Sequence, residues 1–471
     1  MRYVSTRGEA APLDFVEVLL AGLARDGGLY VPESWPALDR ETIAGFAGKP
    51  YAEVAVDVIR PFVGSTIADA DLARMAREAY GGFRHPATTP LVQLDSSLFV
   101  LELFHGPTLA FKDLAMQLLA RLMDHALHQR GERSTIVVAT SGDTGGAAAE
   151  AFRGRGQVDV VVLFPRGRIS DVQQRMITTV PDGNVHAVAI EGTFDDCQAL
   201  VKAMFNHHAF RDRVRLSGVN SINWARIVAQ AVYYFTAGVA LGAPHRKIAF
   251  TVPTGNFGDV YAGYVAARMG LPVDRLVVAT NANDILARTF ATGAYEIRDV
   301  VATMSPSMDI QVSSNFERLL FDANGRDAAS VRALMGSLAQ SRRFVVSAQA
   351  LKELRALFGA NRADEQECAA EIRAWMKEAD YCVDPHTAIA LAVAEKEPRE
   401  ASVPMVVLST AHPAKFPAAV KVACGVEPPL PDWLADLPKR KERITVLPAD
   451  QAAVERFVAS ASRAAREGAA A

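Results

Sequence analysis

Thr135–Phe152 reads TIVVATSGDTGGAAAEAF. A short β-branched run passes into small and polar residues, and alanine-rich helical sequence follows. That succession is a strand, a glycine-rich loop and a helix start. Working outward, the same unit recurs. Apolar runs at Val158–Leu163, Val185–Ile190, Ile248–Val252, Arg275–Ala279 and Met405–Leu408 each lead into a polar or glycine-rich loop and then a helical pattern. The alternation predicts an α/β fold of mostly parallel sheets covered by helices, with ligands at the carboxyl ends of the strands.

The flanks of this repeat read differently. Residues 1–85 carry helical patterns at Asp14–Leu23, Tyr51–Val63 and Asp69–Tyr80 around a Gly/Pro-punctuated loop, DGGLYVPESWP. They form an N-terminal domain, joined through Arg84–Pro90 to a two-lobed α/β region over 86–430. A largely helical insertion is expected at about 327–379. Residues 431–471 form a C-terminal extension whose alanine-rich tail after Asp450 is expected to fray.

Composition excludes several classes. Of 471 residues, 50% are apolar and 22% charged, as in ordinary globular chains. A net charge of −3 gives no basic surface for nucleic acid or anionic lipid. Ile227–Pro244 carries no charged residue, but Gln230, Tyr233, Tyr234, Thr236 and Gly238 interrupt it, so a buried core helix is expected and not a membrane span. The four cysteines are too scattered for a disulfide framework or a zinc motif, and no metal site is expected. With no basic-then-apolar leader pattern, the expectation is a cytoplasmic protein with reduced thiols.

Three loops carry chemistry. In Thr140–Gly146, small residues admit a ligand close to the backbone, N–H groups at a helix start attract anions, and Thr140, Ser141 and Thr144 add hydroxyls. The alternative is an ordinary turn with Asp143 as a helix cap. In PTGNFGD, Gly255 and Gly258 bracket Asn256, which suggests a phosphate-cradling nest. It lacks the Gly-Lys-Ser/Thr ending of a nucleotide P-loop and the G-x-G-x-x-G spacing of a dinucleotide fold, so a smaller phosphate fits better. In LSTAHPAKF, Thr410 sits at a strand end, and His412 and Lys415 are either catalytic or loop-filling. Beside these, NSINWAR brings Asn220, Asn223 and Arg226 together, where an arginine can fork onto a phosphate or carboxylate.

Lys112 lies in HGPTLAFKDLAMQLLARLM, where a Gly-Pro-Thr turn gives way to an amphipathic helix. Alone, a lysine beside Asp113 reads as a solvated surface charge. At a helix start, however, the dipole disfavours an ammonium and favours the nucleophilic amine. A lysine nucleophile, a small-phosphate cradle and a second anion loop together suit pyridoxal phosphate with an amino-acid substrate.

These pieces resemble the threonine synthase family, in its bacterial and fungal branch, of the tryptophan-synthase-β-like pyridoxal-phosphate fold. STRG, DGGLYVPE, LELFHGPTLAFKDLAMQ, TSGDTG, LFPRGRIS, NSINWARI, PTGNFGD and TAHPAKF carry the resemblance, in the family's order from about residue 3 to 417. It implies Lys112 as the Schiff-base lysine, and Gly255, Asn256, Phe257, Gly258 and Asp259 as the cofactor-phosphate loop. Thr410 would be the hydroxyl partner of the pyridine nitrogen, and Asp143 would lie near the cofactor's phenolic oxygen. Thr140, Ser141, Thr144, Asn220 and Arg226 would hold the substrate phosphate. Plant-type relatives have asparagine where this chain has Asp143, and a carboxylate beside a phenolate is repulsive unless a proton or cation intervenes.

The implied reaction is O-phospho-L-homoserine plus water giving L-threonine and phosphate, by γ-elimination and β-addition of water, in a monomer or homodimer. Three rivals stand beside it. They are a phospho-lyase releasing 2-oxobutyrate, a serine or threonine dehydratase, and a catalytically dead scaffold that binds a phosphate ligand.

Overall fold

The computed structural model describes residues 1–398 and 400–468. Two sheets carry the fold. The larger has six strands in the order Phe358–Arg362, Val273–Thr280, Ile248–Pro253, Met405–Ser409, Leu98–Glu102, Leu91–Gln93. Its pairings are parallel except for the terminal hairpin of Leu91–Gln93 with Leu98–Glu102. The smaller has five parallel strands in the order Thr445–Pro448, Val185–Glu191, Val158–Pro165, Ser134–Ala139, Leu216–Ser217. Val158–Pro165, Ile248–Pro253 and Met405–Ser409 are buried at every position, as expected of parallel strands covered on both faces.

All six strand runs expected from the sequence are strands. The uncharged run becomes the buried helix Trp224–Ala240, and among the described residues no helix is long and apolar enough to cross a membrane. In the N-terminal segment, helix Phe15–Ala21 opens on an Asp14–Glu17 capping box, and helices Tyr51–Val63 and Asp69–Tyr80 have the expected bounds. Their apolar faces join the same core as Trp224 and the helix Lys112–Arg130.

Two expectations are refined by the structure. The 327–379 segment is largely helical as expected, but it is not merely inserted beside the sheet. Between helices Ala348–Leu357 and Glu365–Ala379 runs the strand Phe358–Arg362, which forms an edge of the larger sheet. The chain beyond Asp450 does not fray as a whole. Thr445–Pro448 adds an edge strand to the smaller sheet, and Val454 and Val458 of helix Gln451–Ala461 are fully buried against it. Arg463 pairs with the buried Asp159 at 2.7 Å, which anchors the end of the chain to that lobe. Alanine-rich composition hides this, because two valines one helical turn apart suffice to bury one face. The terminal Ala469–Ala471 lies outside the described residues.

Candidate active site

Lys112 begins the helix Lys112–Arg130, and the turn before it is tightly tied. Asp113 is fully buried and accepts from the Thr108 backbone N–H (2.7 Å) and hydroxyl (2.6 Å). A Cβ on Gly106 would lie 2.5 Å from the Asp113 side chain, so only glycine fits there. Burial pushes the Asp113 carboxyl up to about 6. The Phe111 N–H donates to the Thr410 carbonyl at 2.9 Å, and the His412 N–H to the Leu109 carbonyl at 3.0 Å. This pairing sets the start of the lysine helix beside the loop that leaves strand Met405–Ser409. Thr410 is buried there, and its hydroxyl makes no hydrogen bond to the described residues.

The loop Thr140–Gly146 orders itself. The Thr140 hydroxyl oxygen accepts from the N–H groups of Gly142 and Gly145, both at 2.9 Å. Gly142 has φ +136°, and a Cβ on it would meet Gln173 at 2.4 Å. Ser141 and Thr144 are half-buried, with hydroxyls left for a ligand. Asp143 is the first helical residue and not a cap; Gly142 holds that place. The Asp143 carboxylate accepts from Lys415 (2.8 Å), Gln173 (3.0 Å) and Lys112 (3.3 Å). Burial opposes its ionisation, but the charges of Lys415 and Lys112 and the hydrogen bonds from Lys415 and Gln173 outweigh it. The carboxyl is held well below the usual range. Lys112 is pulled the other way. Burial lowers its pKa, and Lys415 and Arg226 lower it further against the attraction of Asp143.

The loop Pro253–Asp259 is built differently from the expected glycine nest. Its left-handed residue is Phe257, at φ +64°, and neither Gly255 nor Gly258 has positive φ. The glycines serve close approach, since a Cβ on Gly255 would sit 2.6 Å from the Ser307 carbonyl oxygen. The strained Phe257 is held by its buried ring, 5.3 Å from Phe316 and 5.8 Å from Phe358, so its side chain is core and only its backbone belongs to the cradle. The Asp259 carboxyl is likewise turned inward, accepting from the Tyr233 and Tyr234 hydroxyls. Burial pushes it up to about 7, which weakens the repulsion an ionised carboxylate would exert on a phosphate. Asn256 stays exposed.

Arg226 is 2% exposed. It donates to the Val219 carbonyl at 3.3 Å, its Nε has no partner, and it makes no ion pair among the described residues. Burial lowers its pKa to about 10, so it stays charged at neutral pH. Asn220, by contrast, is exposed on the rim of its loop. The buried asparagine of that loop, Asn223, caps helix Trp224–Ala240 and donates to the Leu19 carbonyl at 2.9 Å.

Sequence reasoning left one residue of the site undecided and missed several others. Lys415, left open between catalytic and loop-filling roles, is 1% exposed and bonded to Asp143. It is the cation that an aspartate at 143 requires. Gln173 follows Ser170 in a capping box, a legible helix-start signal that says nothing of its reach to Asp143. The polar stretch Ser305–Asn315 wraps the second loop: Ser313 donates to the Gly255 carbonyl (2.6 Å), and Asn315 donates to the Asn256 carbonyl from both backbone (3.1 Å) and side chain (3.0 Å). Arg318, fully buried, orients Asn315 and donates to the carbonyls of Tyr30 (3.0 Å) and Ile222 (2.6 Å). Thr6 and Arg7 of STRG bond Glu317 beside it, so the N-terminal motifs act here as supports.

The buried Lys415 and the part-buried Lys112 therefore meet one ionised carboxylate, Asp143, and the buried Arg226 acts on the charge of Lys112. A primary amine biased toward its free form, two backbone anion loops and an unpaired arginine fit a small phosphorylated aldehyde together with a second anionic ligand.

Known proteins place the chain among pyridoxal-phosphate enzymes. Residues 2–80 match the family profile "Threonine synthase N terminus", 83–410 "Pyridoxal-phosphate dependent enzyme" and 387–458 "Threonine synthase, C-terminal". The threonine synthase of Pseudomonas aeruginosa is 53% identical over 459 residues, which cover 97% of this chain and 98% of that protein. A pyridoxal-phosphate-bound threonine synthase from Brucella melitensis superposes with a TM-score of 0.96 at 61% identity, covering 98% of this chain and all of that one. The yeast threonine synthase does so with a TM-score of 0.93 at 38% identity, covering 98% of each chain.

Proposed function

The chain belongs to the threonine synthase family, and on that premise we propose that it converts O-phospho-L-homoserine and water to L-threonine and phosphate with pyridoxal phosphate as cofactor. One observation carries the substrate assignment. Arg226 is a fully desolvated cation with no carboxylate of its own, and it acts on the charge of Lys112. Such a cation is costly unless an anion completes it, and a phosphate-bearing substrate supplies one.

When bound, pyridoxal phosphate is held covalently by the Lys112 amine and supplies the electron sink for negative charge at the substrate α-carbon. The backbone of Gly255–Asp259 cradles the cofactor phosphate, kept in shape by Ser313 and Asn315. Thr410 offers a hydroxyl to the pyridine nitrogen, a weaker partner than a carboxylate. The freed amine of Lys112 is the base that removes the α-proton; its burial and its cationic neighbours lower its pKa, which favours the free amine for that task. Arg226, Ser141, Thr144 and the N–H groups of the loop Thr140–Gly146 hold the γ-phosphate as it departs, with Thr140 ordering that loop and Asn220 at its rim. The same reading carries a cytoplasmic monomer or homodimer that acts on a small molecule, without a nucleic-acid or membrane partner.

Product analysis with phosphohomoserine tests the proposal. Threonine and phosphate in equal amounts are expected; 2-oxobutyrate without threonine would instead make the chain a phospho-lyase. Arg226→Ala should raise KM for phosphohomoserine about tenfold or more by removing a charged phosphate contact, with cofactor affinity unchanged. An unchanged KM would remove Arg226 from the site.

A further inference from the structure

We propose that Lys415 is a positioning residue for Lys112: it claims the Asp143 carboxylate and so denies Lys112 a counterion of its own, leaving the Lys112 amine free to react. The proposal rests on Lys112 being the cofactor-binding lysine.

The two ammonium groups compete for one buried carboxylate on unequal terms. Lys415 approaches Oδ1 at 2.8 Å, where Gln173 also donates at 3.0 Å, while Lys112 reaches Oδ2 at only 3.3 Å. Lys415 is fixed from several directions. Its Nζ also donates to the Thr108 carbonyl at 2.6 Å, and its own carbonyl accepts from the Ser170 hydroxyl at 3.0 Å. Thr108 is bonded to Asp113 at the start of the Lys112 helix, and Ser170 caps the helix that carries Gln173. Lys415 is thus held in place by the elements that hold Lys112 and Asp143.

Removing it would change the electrostatics in a known direction. A lysine and an aspartate left alone together, largely shielded from water, form a closely matched ion pair, because separating them in a low dielectric is expensive. An ammonium so paired has no lone pair with which to attack a carbonyl. With Lys415 present, Asp143 is shared between two ammonium groups, and Lys415 adds repulsion toward a charged Lys112. The other groups that bear on Lys112 are Arg226, which repels an ammonium, the Asp259 carboxyl, which burial inclines to neutrality, and the Phe111 ring at 5.3 Å. None of these replaces the screening that Lys415 gives Asp143.

The test reads the protonation of Lys112 in the cofactor-free protein, by labelling with acetic anhydride across pH and mass spectrometry of the Lys112 peptide. Lys415→Met should raise the labelling midpoint of Lys112 by about one pH unit or more. Lys415→Gln should do the same, and Lys415→Arg, which keeps the charge, should stay near wild type. Asp143→Asn should move the midpoint down, since it removes the largest attraction on Lys112 and leaves the repulsions of Lys415 and Arg226. Opposite signs from neighbouring substitutions would not arise from loosened packing. A midpoint that stays put or falls in Lys415→Met and Lys415→Gln overturns the proposal, as does one that stays put in Asp143→Asn. No substrate enters the measurement, so a wild-type protein without phosphohomoserine turnover would sink the functional reading and leave this result standing.

Discussion

The loops Thr140–Gly146 and Pro253–Asp259 look alike as sequence: each follows an apolar strand, contains two or more glycines and opens a helix. Their construction differs. The first is held by its own residues, with the Thr140 hydroxyl accepting two N–H groups within five positions. It carries charge, and Asp143 links it to two lysines. The second has no hydroxyl of that kind and a left-handed phenylalanine at its apex. Its shape is imposed from outside, by Ser313 and Asn315, from 58 and 59 positions along the chain. A loop that orders itself can carry a charged, adjustable group. A loop braced by distant backbone contacts holds a fixed cradle.

Three substitutions test this contrast. The largest effect belongs to the residue both loops serve. Lys112→Ala should abolish turnover, at least a thousandfold by the scale of lost covalent and base catalysis, while the melting temperature stays near wild type. Measurable turnover at the wild-type rate would detach both loops from the chemistry assigned to them. Next comes the braced loop. Gly255→Ala places a Cβ within 2.6 Å of the Ser307 carbonyl. Because backbone cannot yield as a side-chain tip can, cofactor affinity should fall about tenfold or more, measured by titrating the cofactor-free protein with pyridoxal phosphate. Unchanged affinity would mean that the brace is dispensable. The smallest effect belongs to the self-ordered loop. Thr140→Val keeps the shape and removes the acceptor for two buried N–H groups, so unfolding should become easier by about 1–3 kcal/mol. Denaturant titration reads this directly. If Thr140→Val instead spared stability and weakened only cofactor binding, the two loops would not differ as described.

The same contrast marks how far the sequence could be read. Every strand-to-helix unit was legible, because buried parallel strands are continuous apolar runs and the loops after them are rich in glycine. Lys112 and Arg226 were legible only as candidates: alone each reads as an ordinary charge, and the loops around them made a site of the pair. Lys415 was visible but undecided: a lysine in a loop looks the same whether it meets water or a carboxylate. Phe257 and Asp259 were read with the loop they belong to, yet both side chains turn into the core. Nothing in GNFGD tells the inward from the outward face, since a loop has no fixed period. Asn315 and Arg318 gave no signal at all, for their partners lie in three other segments.

The sequence by itself determined the class of fold and the order of its units, and it supplied the candidate nucleophile and the residue types proposed for two anion sites. These follow from local periodicity, turn chemistry and the reactivity of single groups. Only the tertiary structure decided the state of that chemistry. Whether Lys112 is charged depends on a lysine 303 positions away that competes for the same carboxylate, and whether the phosphate cradle is open depends on a serine-rich segment packed against it. Burial and counterion distance set both, and they are properties of the folded neighbourhood that no stretch of sequence carries alone.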